Sequence, residues 1–244
     1  MLADTLRSLA GLRLTDAAGK SRALELLPPA TPDQMARLEA ALPGPLPDEI
    51  RDALLVTTGL AHGPLEAFSL IDLEGFGLEE AFPCPWSVAH DGFGNYWILD
   101  LLPGAPDWGP VYYACHDPAV IAWQAASLED FLLEVVALWQ PGRRSAVSRV
   151  RDEVVHRLWR EDVASIDPRS DAAAADQPLR EFAATLPIGA RLSDLRRAGL
   201  GDGFVWGRFG PRTEVRRAGN ERVWAAIPPE KRPGLFRRLF GSTS

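Results

Sequence analysis

The chain has 244 residues, of which 46% are hydrophobic and 24% are charged, a composition typical of a soluble globular protein. Its length predicts one domain plus an appended module rather than two full domains. The N-terminal stretch MLADTLRSLAGLRL lacks the features of a signal peptide, and no segment has the roughly 20 apolar residues that a membrane span needs. We therefore expect a cytoplasmic protein, and the two cysteines, Cys84 and Cys115, agree with a reducing compartment.

Charge is divided unevenly along the chain. Residues 1–142 contain 6 Lys and Arg against 20 Asp and Glu, a net charge of −14, whereas residues 143–244 have a net charge of +7. An acidic half favours basic protein partners and repels nucleic acid, while a basic half can attract polyanions or the acidic half of the same chain.

The first sixty residues show helical and hairpin patterns. A short helix is predicted over residues 4–9, followed by a hairpin over residues 12–26. Thr31 as N-cap predicts a second helix that ends at a Pro-Gly-Pro sequence. Leu46 and Pro47 then open a further helix, which is predicted to end at Gly59.

From residue 65 onward the pattern becomes extended. The stretches LEAFSLIDL, NYWILDL, VYYAC and VIAW are rich in aromatic and β-branched residues and predict about four strands. Ser127 is the predicted N-cap of the helix LEDFLLEVVALW, whose apolar stripe includes Phe131 and suits packing across that sheet. Helices, strands and a final helix indicate an α+β fold ending near Pro141.

The C-terminal half has a different character. A charged helix is predicted over residues 145–162 and a polar, alanine-rich linker over residues 166–178. Three short strands, GFVWGRFG, TEVRRAG and RVWAAI, then predict a β meander. The tail KRPGLFRRLFG fits either a basic amphipathic helix for a membrane surface or partner, or a docking tail, and we favour the docking tail.

These patterns together predict an α+β protein with a mixed or antiparallel sheet of about four to six strands packed by helices. We divide the chain into a domain over residues 1–142, a charged helix and linker over residues 143–178, and a small basic β-rich module over residues 179–244.

The segment AHDGFGNYWILDL, residues 89–101, combines glycines and aspartates with an aromatic run. A dinucleotide loop needs a strand before its glycines, whereas here the strand follows them. A calcium loop needs alternating acids before the glycine and a glutamate at the twelfth position, and both are missing. We therefore interpret Asp91 and Gly92 as a turn into a central strand, with Gly94 allowing a bulge or a close backbone approach.

The two faces of that predicted strand differ. Alternation places Trp97, Leu99 and Leu101 on one face. The other face carries Tyr96, Ile98 and Asp100. We predict that the apolar face meets the helices and that the second face is open, partly solvated and available for recognition.

Metal and catalytic sites are not favoured by the pattern. A metal site could be assembled from four residues, His90, His116, Cys84 and Cys115. They do not, however, have the Cys-x-x-Cys or His-x-x-x-His spacing that metal sites commonly show. Ser127 does not lie in a nucleophile-elbow motif. Residues 1–142 contain twenty acidic residues, so a pair of carboxylates does not by itself identify a catalytic site. We predict no metal, no cofactor and no enzymatic activity.

Four stretches within residues 28–141 carry a family resemblance. They are LPPATPDQMARLEAALPGPLPDEIRDALLVTTGL, DGFGNYWILDL, GPVYYACHDP and SLEDFLLEV. Their order and spacing resemble the SUKH superfamily, which includes fungal cell-wall synthesis regulators of the Smi/Knr type and many bacterial immunity proteins. One departure is Thr58-Gly59, where the family commonly has Asn-Gly.

The resemblance implies an α+β protein-binding scaffold rather than an enzyme, and bacterial members are thought to neutralise cognate toxins. The positions that match its glycine-containing strand are Gly92, Gly94, Asn95, Tyr96 and Asp100. Ser127 and Phe131 match its closing helix. The further positions assigned to the structural motif are Leu46, Pro47, Gly59 and Trp97.

The leading hypothesis is an immunity protein that binds a basic toxin domain, such as a nuclease or deaminase, because the first 142 residues are strongly acidic. The expected partner-binding residues are Glu79, Glu80, Asp91, Asn95, Tyr96, Asp100, Asp107 and Trp108. Trp97 is either a further aromatic anchor or a core residue, and we favour the core.

Two alternatives remain at this point. One is a regulatory or adaptor protein with a second partner on the basic C-terminal module. The other is an enzyme or nucleic-acid binder built on that module, using Trp206 and Trp224 together with Arg208, Arg212, Arg216, Arg217 and Arg222. Nucleic acid is the less favoured partner, because alternate arginines on a small sheet are usually its solvated face and the acidic domain would oppose polyanions. No membrane partner is expected.

Overall fold

A computed structural model describes residues 1–15, 19–71, 76–102, 108–140, 142–161 and 165–230. Within these ranges the chain has the predicted α+β fold, built around an antiparallel sheet of eight strands, more than the four to six expected. Helices cover one face of this sheet and a three-stranded sheet covers the other. Among the described residues, no helix combines the length and apolar character needed to cross a membrane.

The described elements have the following bounds. The helices are α1 (Leu2–Leu9), α2 (Pro32–Ala41), α3 (Asp48–Leu54), α4 (Leu128–Ala137), α5 (Ala146–Arg149), α6 (Val155–Glu161), α7 (Asp171–Ala175) and α8 (Gln177–Ala184), with a π-helical turn (Val150–Val154) between α5 and α6. The strands are β1 (Arg13–Thr15), β2 (Ser21–Ala23), β3 (Glu25–Leu26), β4 (Gly59–His62), β5 (Ala67–Ser69), β6 (Pro85–His90), β7 (Tyr96–Asp100), β8 (Val111–His116), β9 (Ala119–Ala125), β10 (Arg191–Asp194), β11 (Gly203–Phe204), β12 (Glu214–Arg217) and β13 (Val223–Ile227).

Local signals account for the N-terminal elements. Strands β1 and β2 form the predicted hairpin. At the start of α2, the Thr31 hydroxyl accepts from the backbone N–H of Gln34 at 3.2 Å, while the Thr31 N–H donates to the Gln34 side chain at 2.9 Å. This reciprocal capping satisfies two N–H groups that the helix itself leaves unpaired. The helix predicted to end at Gly59 ends at Leu54 instead, and Gly59 opens β4.

The large sheet has the strand order β11-β9-β8-β7-β6-β5-β4-β3. Strand β7 is central, and its Trp97 lies opposite Tyr113 of β8. Strand β6 was not predicted, because PWSVAH is buried at four successive positions and therefore lacks the alternation of a half-buried strand. Its register with β7 shifts between Ser87 and Ala89, so the bulge lies there rather than at Gly94.

The helix-facing core confirms the predicted orientation of β7. Trp97 and Leu99 are fully buried, and the Trp97 ring lies 5.8 Å from the ring of Phe131 on α4. The Trp97 indole N–H donates to the side chain of Gln124 at 3.1 Å, so its polar atom is satisfied. Ser127 caps α4, as predicted, by accepting from the Asp130 N–H at 3.1 Å.

The C-terminal residues build the second layer. Strands β10, β13 and β12 form the three-stranded sheet, and Val215 and Trp224 from it pack with Ile98 and Tyr112 of the large sheet. The predicted three-strand meander is wrong in one respect, because β11 pairs with β9 and extends the large sheet.

The linker predicted over residues 166–178 is also wrong. Ser170 caps α7, and Ala173 within it is buried, so this alanine-rich stretch is helical and packed. Pro141 and the basic tail lie outside the described residues.

Candidate functional site

The connection between β6 and β7, residues 91–95, presents an aromatic side chain to solvent. The Asp91 carboxylate accepts from the backbone N–H groups of Phe93 and Asn95 at 2.9 and 3.3 Å. Gly92 and Gly94 have φ values of +77° and +86°, which glycine adopts without strain. The side chain of Phe93, between these glycines, is 81% exposed.

Asn95 fixes this loop to the turn between β8 and β9. Its amide nitrogen donates to Asp91 at 2.7 Å, and its carbonyl oxygen accepts from the backbone N–H of His116 at 3.1 Å. The same oxygen lies 2.9 Å from Nδ1 of His116. Phe93 is therefore displayed on a loop that is braced by hydrogen bonds within the chain.

A cavity of about 440 Å³ opens beside Phe93. Its lining comprises Asp91, Phe93, Asn95, Tyr113, Cys115, Asp117, Pro118, Arg151, Asp152, Val155 and His156. One wall comes from the β6–β7 and β8–β9 turns, and the opposite wall comes from the π-helical turn and the start of α6. Short π-helical segments inside α-helices frequently occur at functional sites.

The ionisable groups at the bottom of this cavity are not arranged for nucleophilic chemistry. Burial raises the pKa of Tyr113, whose hydroxyl donates to Asp91 at 3.4 Å. Burial also raises the pKa of the Cys115 thiol, which keeps it in the protonated, weakly nucleophilic form. Neither the Tyr113 hydroxyl nor the Cys115 thiol is therefore ionised at neutral pH.

Carboxylates lie around the exposed ring. The Glu66 side chain is exposed and lies beside Gly92, where its Cγ would be 3.2 Å from an added Cβ. Asp117 is exposed at the cavity, and Asp152 on the opposite wall hydrogen-bonds Arg151 at 2.9 Å. We call Phe93, the adjoining cavity and the carboxylates of Glu66 and Asp117 the Phe93 surface.

Asp100 occupies a different environment from the predicted open face. It is 1% exposed, and both of its oxygens accept from Arg217, at 2.7 and 2.8 Å. Ile98 on the same face is fully buried, and Tyr96 is half-buried. The prediction that this face is open is wrong, because β12 and β13 lie over it; Asp100 is accordingly not presented to a partner.

Arg217 is held by more than its carboxylate partner. Its guanidinium donates to the carbonyls of Ala81 and Glu221 at 3.1 and 2.8 Å and lies 4.9 Å from the centre of the Trp224 ring. The Trp224 indole N–H donates to the Ala81 carbonyl at 2.7 Å. These contacts anchor the C-terminal sheet to the large one.

The other predicted partner-binding residues do not form one patch. Asp91, Asn95 and Tyr96 lie together at the start of β7, whereas Trp108 follows its far end and packs edge-on against Trp86, with ring centres 4.2 Å apart. Glu79 and Glu80 are exposed in the turn before β6. Asp107 lies outside the described residues.

The sequence reasoning missed the residue that stands out most at this site. Phe93 lies between two glycines that both need a positive φ, and this Gly-Phe-Gly pattern is the signal that it heads a tight, exposed turn. Arg151, Asp152 and His156 carried no such signal, because their proximity to the loop comes from packing of α6 against β9.

No metal centre is apparent among residues that the structure describes: no group of three or more His, Cys, Asp or Glu side chains could hold an ion there. Cys84 and Cys115 are both free thiols.

Comparison with known proteins adds one finding. Residues 29–134 match the model of the SMI1 / KNR4 family (SUKH-1), which covers α2 to most of α4 and includes the 91–95 loop. Searches of curated proteins and of solved structures gave no match.

Proposed function

We propose that this chain, a member of the SUKH superfamily through residues 29–134, is a non-enzymatic protein-binding scaffold that acts as an immunity protein. Its partner would be a toxin domain with a basic surface, such as a nuclease or deaminase. The observation that carries the proposal is a difference in how charged side chains are used: Arg196, Arg208 and Arg217 of the basic half bond within the fold, while six carboxylates of the acidic half face solvent.

Two arginines of the C-terminal region, Arg217 and Arg208, form bonds within the molecule. Arg217 pairs with buried Asp100, as described above. Arg208 donates to the carbonyls of Trp159 and Leu158 at 2.9 and 3.3 Å and lies over the Trp159 ring. These bonds reduce the basic surface that a nucleic acid, or the second partner of an adaptor, would need.

Two further arginines are paired within the same region. Arg196 bonds Asp194 at 2.7 Å and Asp176 at 3.0 Å, and Arg216 bonds Glu214 at 2.6 Å. The proposed base-stacking tryptophans are also engaged, because Trp224 is buried and the Trp206 indole N–H donates to the Cys115 carbonyl at 3.1 Å.

The acidic half keeps exposed carboxylates. They include those of Asp33, Asp52, Glu66, Glu79, Glu80 and Asp117. A surface of this sign attracts a basic protein over a long range and raises its association rate. Nucleases present basic clefts for phosphates, so the charge that suits their substrate also suits this surface.

The test is co-expression with the toxin-like product of an adjacent gene. We expect the chain to protect cells from that product and to co-purify with it, with an affinity that falls as salt rises because exposed charges are screened. A catalytically inactive toxin variant allows the complex to be purified without cell death. Absence of both protection and co-purification would contradict the proposal.

A further inference from the structure

We infer that the Phe93 surface is the docking site for the basic partner, and that its cavity receives a lysine or arginine side chain of that partner. The inference rests on the proposed function and assigns its place on the molecule. Three features of the described residues support it: an exposed aromatic ring, a cavity beside it, and the sign of the surrounding charge.

The exposure of Phe93 is unusual for its residue type. A phenylalanine is normally buried, yet this ring is 81% exposed and is not needed to complete the core. Asp91 and Asn95 brace the loop on both sides of it. A rigid, exposed aromatic side chain gives contact area to a partner at a low entropic cost.

The cavity beside the ring has the chemistry to hold a long basic side chain. The half-buried Pro118 and the exposed Phe93 ring line the cavity and offer apolar surface to a methylene stem. Its charged lining consists of the carboxylates of Asp91, Asp117 and Asp152, opposed by one guanidinium, that of Arg151. Three carboxylates against one guanidinium leave an excess of negative charge in this lining.

The carboxylates around Phe93 favour one class of partner over another. Glu66 and Asp117 are exposed on either side of the loop, so a partner that covers Phe93 also meets these two carboxylates. A basic protein surface gains from both contacts, whereas a nucleic acid backbone is repelled by them.

The experiment measures binding of the full chain to the purified, catalytically inactive toxin-like product of the adjacent gene by surface plasmon resonance at several salt concentrations. The test variants are Phe93→Ala and the double variant Glu66→Gln with Asp117→Asn. Ile188→Ala is the matched apolar control, since Ile188 is 82% exposed but lies in the C-terminal region. The charge control is Asp33→Asn with Asp52→Asn, two exposed acids on α2 and α3.

We expect Phe93→Ala to weaken binding by about 30-fold or more, mainly through faster dissociation. The double charge variant should slow association by roughly 3- to 10-fold and flatten its dependence on salt. Both controls should stay within about 2-fold of the wild-type affinity. Circular dichroism and thermal melting of each variant would verify that these exposed substitutions leave the fold intact.

The outcomes separate the two proposals. Wild-type binding that both test variants retain in full would overturn the docking site while leaving the immunity function standing. Absence of wild-type binding would overturn the function and, with it, the site that depends on it. Equal losses in test and control variants would also overturn the docking site, because the effect would then not be localised to the Phe93 surface.

Discussion

Replacing Arg217 by methionine should destabilise this protein much more than a typical arginine substitution on a small sheet. Arg217 is 3% exposed at its side chain and forms two hydrogen bonds with Asp100, which is 1% exposed. Methionine keeps much of the apolar stem over Trp224 but removes every donor. The carboxylate of Asp100 would remain buried without its main partner.

The expected loss of stability follows from leaving the Asp100 carboxylate buried without its main partner. Removal of one member of a buried ion pair generally destabilises by about 3–5 kcal/mol, because the remaining charge is neither solvated nor paired. Arg222 offers partial compensation, since its Nε lies 3.7 Å from an Asp100 oxygen. We therefore expect a loss near the lower limit, about 3 kcal/mol.

Urea unfolding followed by tryptophan fluorescence measures this loss, with Arg217→Met, Asp100→Leu and the double variant compared in one cycle. The double variant should lose less than the sum of the single losses, because neither charge is then left alone. Arg216→Met is the control: Arg216 precedes Arg217 on β12 and is 45% exposed, so its pair with Glu214 should contribute less than about 1 kcal/mol. A loss below about 1 kcal/mol for Arg217→Met, or strict additivity in the cycle, would refute the reasoning.

Three further predictions concern other parts of the fold. Thr31→Ala should lower the free energy of unfolding by about 1 kcal/mol, measured by urea titration, and Thr31→Ser should restore most of it. Gly203→Ala should lower the melting temperature by several degrees, because the new Cβ would lie 2.5 Å from the Ile121 carbonyl oxygen across the β11–β9 pair; an unchanged melting temperature would contradict that close approach. The hydrogen bond from Arg196 holds the pKa of Asp194 below its usual value, so this contact stabilises the fold above the unfolded pKa and is lost as pH falls through the folded one. Arg196→Met should thus lower the free energy of unfolding at neutral pH and make it fall less steeply below about pH 4 than in the wild type. Parallel pH profiles of stability for the wild type and the variant would contradict this.

Elements with local signals were the ones that sequence reasoning placed well. The Thr31 capping box and the Ser127 cap each lie within four residues of their helix start, so the pattern alone identifies α2 and α4. The apolar side of β7 was likewise readable from alternation, and Trp97 is a core residue. The family resemblance also came from such local stretches and their order, and the family match over residues 29–134 bears it out.

Features set by distant contacts were not readable. The partner of Asp100 lies 117 positions away in the chain, and no pattern around either residue indicates the pairing. An aspartate beside a tyrosine on a strand normally indicates a solvated face. The pattern therefore predicted an exposed Asp100, whereas its carboxylate is buried. Strand β11 was assigned to a local meander for the same reason, since its pairing with β9 depends on tertiary packing.

The ends of the large sheet restrict the ways in which another chain can bind. Its outermost strands, β3 and β11, each contain two residues. Such short edges provide few unpaired backbone groups on which an incoming strand can be aligned, so they disfavour both edge-to-edge aggregation and recognition by strand addition. At the large sheet, side chains carried by loops are then more accessible for recognition than the strand edges, and selection for a new partner can proceed by changing loop residues while the sheet stays the same.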